Sequence, residues 1–182
     1  MNTIIHPMEI TTAEYLYNNC ILQATLAQVE QASVWYFEAQ EVAEDVAEIL
    51  GTSLEVGASI VSAFSPRERW ASNVAKAYAF ANGKPVSGLS NNLKMANDAL
   101  ENGFDALRGQ KTNAFARAIA GDTNAVVIDV WMCRAANAPT DSPSKGLYNT
   151  LSDAVTSVAN EHGLSPRTAQ ALIWIVKRGS AE

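Results

Sequence analysis

Two residues combine reactive side chains with a suggestive spacing: Lys111, and Asp129 eighteen residues further on in Val126-Val127-Ile128-Asp129. The lysine follows a tight turn, Leu107-Arg108-Gly109-Gln110, and opens a helical pattern at Lys111-Thr112. A turn of this kind leaves backbone N–H groups pointing out of a helix N-terminus, where they can cradle a phosphate. An aspartate at the head of an apolar helix either caps that helix or is desolvated and poised as a base or electrostatic stabiliser. On residue types alone, capping is the simpler role for Asp129, and a solvated helix-start lysine is the simpler role for Lys111.

Other reactive groups give less. His6 and His162 lie far apart with no metal-ligand spacing around either, so surface or capping roles are expected. Cys20 and Cys133 have no CxxC neighbour and no nearby histidine, the pattern of two free thiols in a reducing compartment. No GxGxxG, GxxxxGK[ST] or HExxH motif is present, so neither a cofactor nor a metal is expected.

The elements that must position Lys111 and Asp129 are helical. Thr11-Thr12-Ala13-Glu14 reads as a capping box, followed by a long helical pattern to Leu50 with a break near residues 31–40. Its apolar positions include Leu22, Leu26, Val29, Val42, Val46 and Ile49, and Gly51 is its stop. A short helix spans about 53–64. Ser65-Pro66-Arg67-Glu68 reads as a second capping box with proline at the first helical position, starting a helix that ends at Gly83-Lys84-Pro85. Further helices are predicted from Ser90 to Asn102-Gly103, over 111–120, from Val126 to about Ala136, over 145–161, and from Ser165-Pro166 to Arg178. No hairpin signal or regular set of β-branched runs appears. The expectation is an all-α protein, a single globular domain over residues 1–182 with eight or nine helices.

Charge divides that domain into three stretches. Residues 1–59 carry nine acids and no Lys or Arg; residues 60–135 carry nine basic and six acidic residues; residues 136–182 balance at four each. The overall charge of −6 therefore neither supports nor excludes a polyanionic partner. No apolar run approaches the roughly 18 residues of a membrane span, and MNTIIHPMEI has no basic lead into an apolar stretch. No membrane association and a cytoplasmic location are expected.

Residues 105–134 resemble the helix-hairpin-helix DNA glycosylases, the superfamily that includes endonuclease III. There a hairpin of the form LPGVGxKTA grips a DNA phosphate, and an aspartate follows about eighteen residues later in a V-D-x-H-x-x-R context. Gly109-Gln110-Lys111-Thr112 matches G-x-K-T, Asp129 stands at the family separation, and Arg134 follows it by five residues. Ile60-Val61-Ser62-Ala63 resembles the family's LLSAQ segment. Gly88-Leu89 with Asn91-Asn92-Leu93-Lys94 resembles G-L-x-x-x-K-A, and the stretch from Gln170 to Gly179 resembles the closing helix. The chain also resembles bacteriophage proteins of this general pattern. It departs from the family: Ala106-Leu107-Arg108 replaces P-G-V, Phe64 replaces the SAQ glutamine, Asp129-Val130-Trp131 lacks the family histidine, and the segment between the two halves is shorter. The four cysteines of an iron–sulfur centre are absent.

The resemblance implies an enzyme that flips a nucleobase out of DNA and cleaves its glycosidic bond. Asp129 would stabilise the sugar cation or activate the nucleophile, and Lys111 could form a Schiff base with the sugar. Arg108, Gly109, Gln110, Thr112 and Arg134 would contact DNA, with Phe64, Trp70 or Trp131 stacking on a base. Two other readings remain: base modification on the same fold, as in a phage enzyme, and a non-enzymatic module whose acidic N-terminal half binds a protein.

Overall fold

The computed structural model describes residues 8–179, and His6 lies outside them. Among the described residues the fold is all-helical, with nine α-helices and no strand: α1 (Ile10–Leu22), α2 (Leu26–Leu50), α3 (Leu54–Ala63), α4 (Trp70–Ala81), α5 (Ser90–Asn102), α6 (Gln110–Ile119), α7 (Val130–Ala135), α8 (Lys145–Glu161) and α9 (Pro166–Arg178). A 3₁₀ turn, Gly103–Ala106, precedes α6. The helices form two compact units. One contains the residues up to Ser33 together with Val126 onward; the other is Val34–Ala125.

Helix ends specified by local chemistry fall where the sequence places them. Ser53, Ser144 and Ser165 cap α3, α8 and α9, their side-chain oxygens accepting from the N–H of Val56, Leu147 and Thr168. Gly51, Gly83, Gly121, Gly163 and Gly179 follow helices at positive φ, where a Cβ would be strained. Three expectations are corrected. The first helix begins at Ile10, so Thr11 and Thr12 lie inside its first turn and cap nothing. The break falls at 23–25 instead of 31–40, because Thr25 and Gln28 form the capping box: the Gln28 N–H donates to Thr25 Oγ1 and the Thr25 N–H to Gln28 Oε1.

The third concerns Ser65-Pro66-Arg67-Glu68, which is a turn. The Glu68 N–H donates to the Ser65 carbonyl, Arg67 sits at φ 64°, and α4 starts only at Trp70. Proline followed by a positive-φ residue suits the centre of a type II turn. The Glu68 carboxylate is drawn forward instead, accepting from Ser72 and pairing with Lys76.

In the discontinuous unit, α1 packs on α8 and α9, which also contact each other, and α7 packs on α9. Tyr17, Ile128, Met132, Leu151, Val155 and Ile173 fill its core. In the central unit α3 is the hub: Gly57–Ala63 are all buried, and α4, α5, α6 and the 3₁₀ turn contact it. On the part of α2 in this unit, Tyr36, Ala39, Ala43, Val46 and Ala47 are buried, whereas Val34, Phe37 and Ile49 are exposed. Alanines there let α3 approach closely. A Cβ on Gly57 would lie 3.0 Å from the Ala47 Cβ and closer still to the Ala43 carbonyl oxygen.

Gly57→Ala should therefore destabilise the protein by about 1–3 kcal/mol, the cost of overpacking a filled interior. Gly146 sits in α8 with nothing near its missing Cβ. Gly146→Ala should stabilise by up to about 1 kcal/mol through backbone entropy. Urea denaturation of the two variants checks the opposite signs.

Candidate functional site

Asp129 is held more tightly than an ordinary N-cap. Residues 125–129 are non-helical, and the helix predicted from Val126 starts only at Val130. Val126, Val127 and Ile128 are buried, their β-branched side chains packed inward from this non-helical segment. The Tyr148 hydroxyl donates to the Val126 carbonyl (2.9 Å) and accepts from the Ile128 N–H (3.1 Å), pairing two groups no helix serves. Asp129 follows directly. Its Oδ1 accepts from the N–H groups of Trp131 (2.9 Å) and Met132 (3.0 Å). Its Oδ2 accepts from the Trp174 indole (2.9 Å) on α9. The half-buried carboxylate thus receives three N–H donors and pairs with no cation among the described residues.

Around it, Arg134 makes a two-pronged pair with Asp141 at the surface, its guanidinium also 5.2 Å from the Trp131 ring. Met132 offers its carbonyl to the Tyr17 hydroxyl (3.1 Å). Burial pushes three acids upward, with the Asp129 charge as a further cause in each. The Tyr17 phenol rises far above its ordinary range, Tyr148 rises to about 12, and the Cys133 thiol rises to about 11.

The turn before Lys111 belongs to the central unit. The 3₁₀ turn leads through Leu107-Arg108-Gly109 into α6, which no side chain caps. The Thr112 hydroxyl instead donates back to the Gly109 carbonyl (3.0 Å), and a Cβ on Gly109 would lie 3.2 Å from that hydroxyl. Ser62 on α3 donates to the Thr112 carbonyl (2.7 Å), fixing the helix start against the hub. Asn113 shapes the rest: its amide donates to the carbonyls of Phe104 (2.9 Å) and Leu107 (3.2 Å), and its oxygen accepts from Arg117. Arg117 lies over the Phe104 ring, and Glu55 accepts from the Phe104 N–H. This amide clamp organises a turn that contains no proline. Arg108 is exposed, Lys111 half-exposed and Thr112 buried.

The stacking candidates differ in setting. Phe64 is buried against Phe80, with ring centroids 5.7 Å apart. Trp70 packs with Trp35 and Phe115 in an aromatic cluster of the central unit. Trp131 is half-exposed. Sequence reasoning missed Trp174, Tyr148 and Asn113. The first two meet Asp129 and its lead-in from 45 and 20 residues away, beyond any local pattern. Asn113 was within reach, since an asparagine just inside a helix commonly serves neighbouring backbone.

Fold and site together define an all-helical protein with an immobilised carboxylate at a helix start and a clamped turn ahead of a basic helix. Residues 8–181 match the model described as Family of unknown function (DUF7178), and the chain belongs to that family. No curated protein and no solved structure matches it. Among the described residues, no single helix is long and apolar enough to cross a membrane.

Two outcomes test the site as built. Asp129→Ala should cost about 1–3 kcal/mol, removing a cap and orphaning an indole. Asp129→Asn, which keeps an acceptor, should cost less. Chemical denaturation of both variants reads the difference. The second concerns pH. Unfolded, Cys133 and Tyr148 ionise near their ordinary values of 9.0 and 10.0, but folded they hold their protons to about 11 and about 12. The unfolded chain thus loses protons first, so stability present below pH 9 should fall as pH rises toward 12. Circular-dichroism melts between pH 8 and 11 should show this fall, and Cys133→Ala should flatten its early part.

Proposed function

We propose that this protein binds DNA and cleaves the N-glycosidic bond of a nucleobase, in the manner of the helix-hairpin-helix glycosylases it resembles. The observation that supports this most is the Asp129 carboxylate, fixed by three donors and paired with no cation among the described residues. Charge stabilisation needs such a group held in place before the reaction, since reorganisation then costs little in the transition state. As the C1′–N bond breaks, its electron pair leaves with the base and positive charge develops on the sugar. A preset carboxylate opposes that charge.

Arg108 and the backbone of the Gly109 turn supply phosphate contacts, which position DNA without reading sequence. Lys111 is the candidate nucleophile. Its unprotonated amine would form a bond to C1′, and opening of the sugar ring would give a Schiff base reducible by borohydride. No acid pairs with Lys111 among the described residues.

Mobility shifts on a duplex containing an abasic site, at 50 and 200 mM salt, test the grip. Arg108→Ala should weaken binding and lower the salt slope by about one, the value for one phosphate contact. Absence of binding at 50 mM would reject the proposal. Borohydride should trap the wild-type protein on the same DNA and fail to trap Lys111→Ala. Asp129→Asn should slow base release by about a hundredfold or more.

A further inference from the structure

The stretch of α2 inside the central unit carries a row of acids that pairs with no Lys or Arg among the described residues. From Val34 to Ile49, one face holds Val34, Phe37 and Ile49, exposed by 47%, 60% and 46%. Interleaved on that face, at three- and four-residue spacings, are Glu38, Glu41, Glu44, Asp45 and Glu48, all exposed. Gln40 donates to Glu44 (2.8 Å), and Tyr78 donates to Asp45 (2.5 Å). Both donors are neutral. Among the described residues no Lys or Arg pairs with any of the five acids, and α2 contains no basic residue at all.

This arrangement opposes the helix that carries it. Like charges three or four residues apart destabilise a helix by about 0.2–0.5 kcal/mol per pair. Glu44, Asp45 and Glu48 also gather toward the C-terminal end, where the helix dipole is negative and disfavours acids. A cationic partner would relieve both. Val34 and Phe37, three residues apart, would anchor it at one end of the acidic row, and Ile49 at the other.

A second copy fits poorly, since it would bring the same acids against each other. A metal ion fits poorly too, because among the described residues no three His, Cys, Asp or Glu side chains gather closely enough to hold one.

We propose that this face of α2 docks a basic amphipathic helix of a partner protein. Lysines or arginines would meet Glu38, Glu41, Asp45 and Glu48, and apolar residues would meet Val34, Phe37 and Ile49. The proposal stands apart from the DNA-binding reading, which uses the opposite charge on other helices.

The probe is a fluorescein-labelled 18-residue peptide of leucine and lysine patterned as an amphipathic helix, alongside a scrambled isomer of equal charge. Anisotropy titration of the full chain should show the patterned peptide binding at least tenfold more tightly than the scrambled one, and weakening from 50 to 300 mM salt. Glu41→Lys with Glu48→Lys should lower its affinity at least tenfold, as should Phe37→Ala. Asp153→Lys with Glu161→Lys, exposed acids on α8, should leave it unchanged. The α2 reversals relieve repulsion, so their thermal melts should match or exceed the wild type, which separates lost docking from lost folding. Equal binding of both peptides would overturn the proposal, as would indifference to the α2 reversals. Sedimentation showing a dimer that Phe37→Asp dissociates would overturn it as well, by giving the face to a second copy.

Discussion

The five residues from Ala125 to Asp129 impose the constraint on which much of this structure depends. They are apolar enough to be drawn inside, yet they follow a helix stop and precede a helix start, so their backbone groups lack regular partners. A buried peptide group without a partner costs about 1–3 kcal/mol. The Tyr148 hydroxyl meets that demand twice, on Val126 and Ile128. Asp129 meets the next demand by closing the N-terminus of α7, and Trp174 fixes its other oxygen. A carboxylate held in one orientation is thus a by-product of satisfying a short extended segment. A residue that caps a helix and one that could do chemistry need not be different residues.

The Gly109 turn solves a similar problem by other means. Asn113 reaches back across the turn to two carbonyls, while Ser62 pins the start of α6. Side-chain hydrogen bonds hold a turn that contains no proline. Arg108 stays exposed and Lys111 half-exposed beside it.

What the sequence made legible follows the range of the forces involved. Glycine stops and the Ser165 cap act within four residues, and Gly51, Gly163, Gly179 and Ser165 placed the C-terminal ends of α2, α8 and α9 and the start of α9 within a residue or so. The same motif logic failed where a competing partner lay further off. Glu68 turned toward Lys76 instead of capping, and Thr25 with Gln28 formed the box that Thr11 and Glu14 had suggested. Periodicity on α2 placed Val46 inside, but Leu26, Val29 and Ile49 are exposed, and it is Ala43 and Ala47 that meet Gly57 of α3. The candidate residues Lys111 and Asp129 were singled out by the resemblance to the helix-hairpin-helix glycosylases, since on residue types alone a cap and a solvated lysine were the simpler roles. Their supporting residues were not, since Tyr148 and Trp174 are linked to that segment only by the fold.

The discontinuous unit carries a consequence for the order in which the protein assembles. Tyr17 on α1 donates to the Met132 carbonyl across 115 residues, and α1 otherwise packs on α8 and α9. During synthesis, the first helix must therefore wait until most of the chain has emerged, with the faces around Ala13 and Tyr17 meanwhile unburied. The central residues 34–125 are under no such delay, because every segment that packs around α3 is made before residue 126. Closing so long a loop costs only slightly more than closing a shorter one, since the entropy grows with the logarithm of length. The late step is slow in time more than costly in free energy. A nascent chain halted near residue 126 would present a finished middle and an unpaired first helix, the kind of exposed apolar surface that holding chaperones recognise.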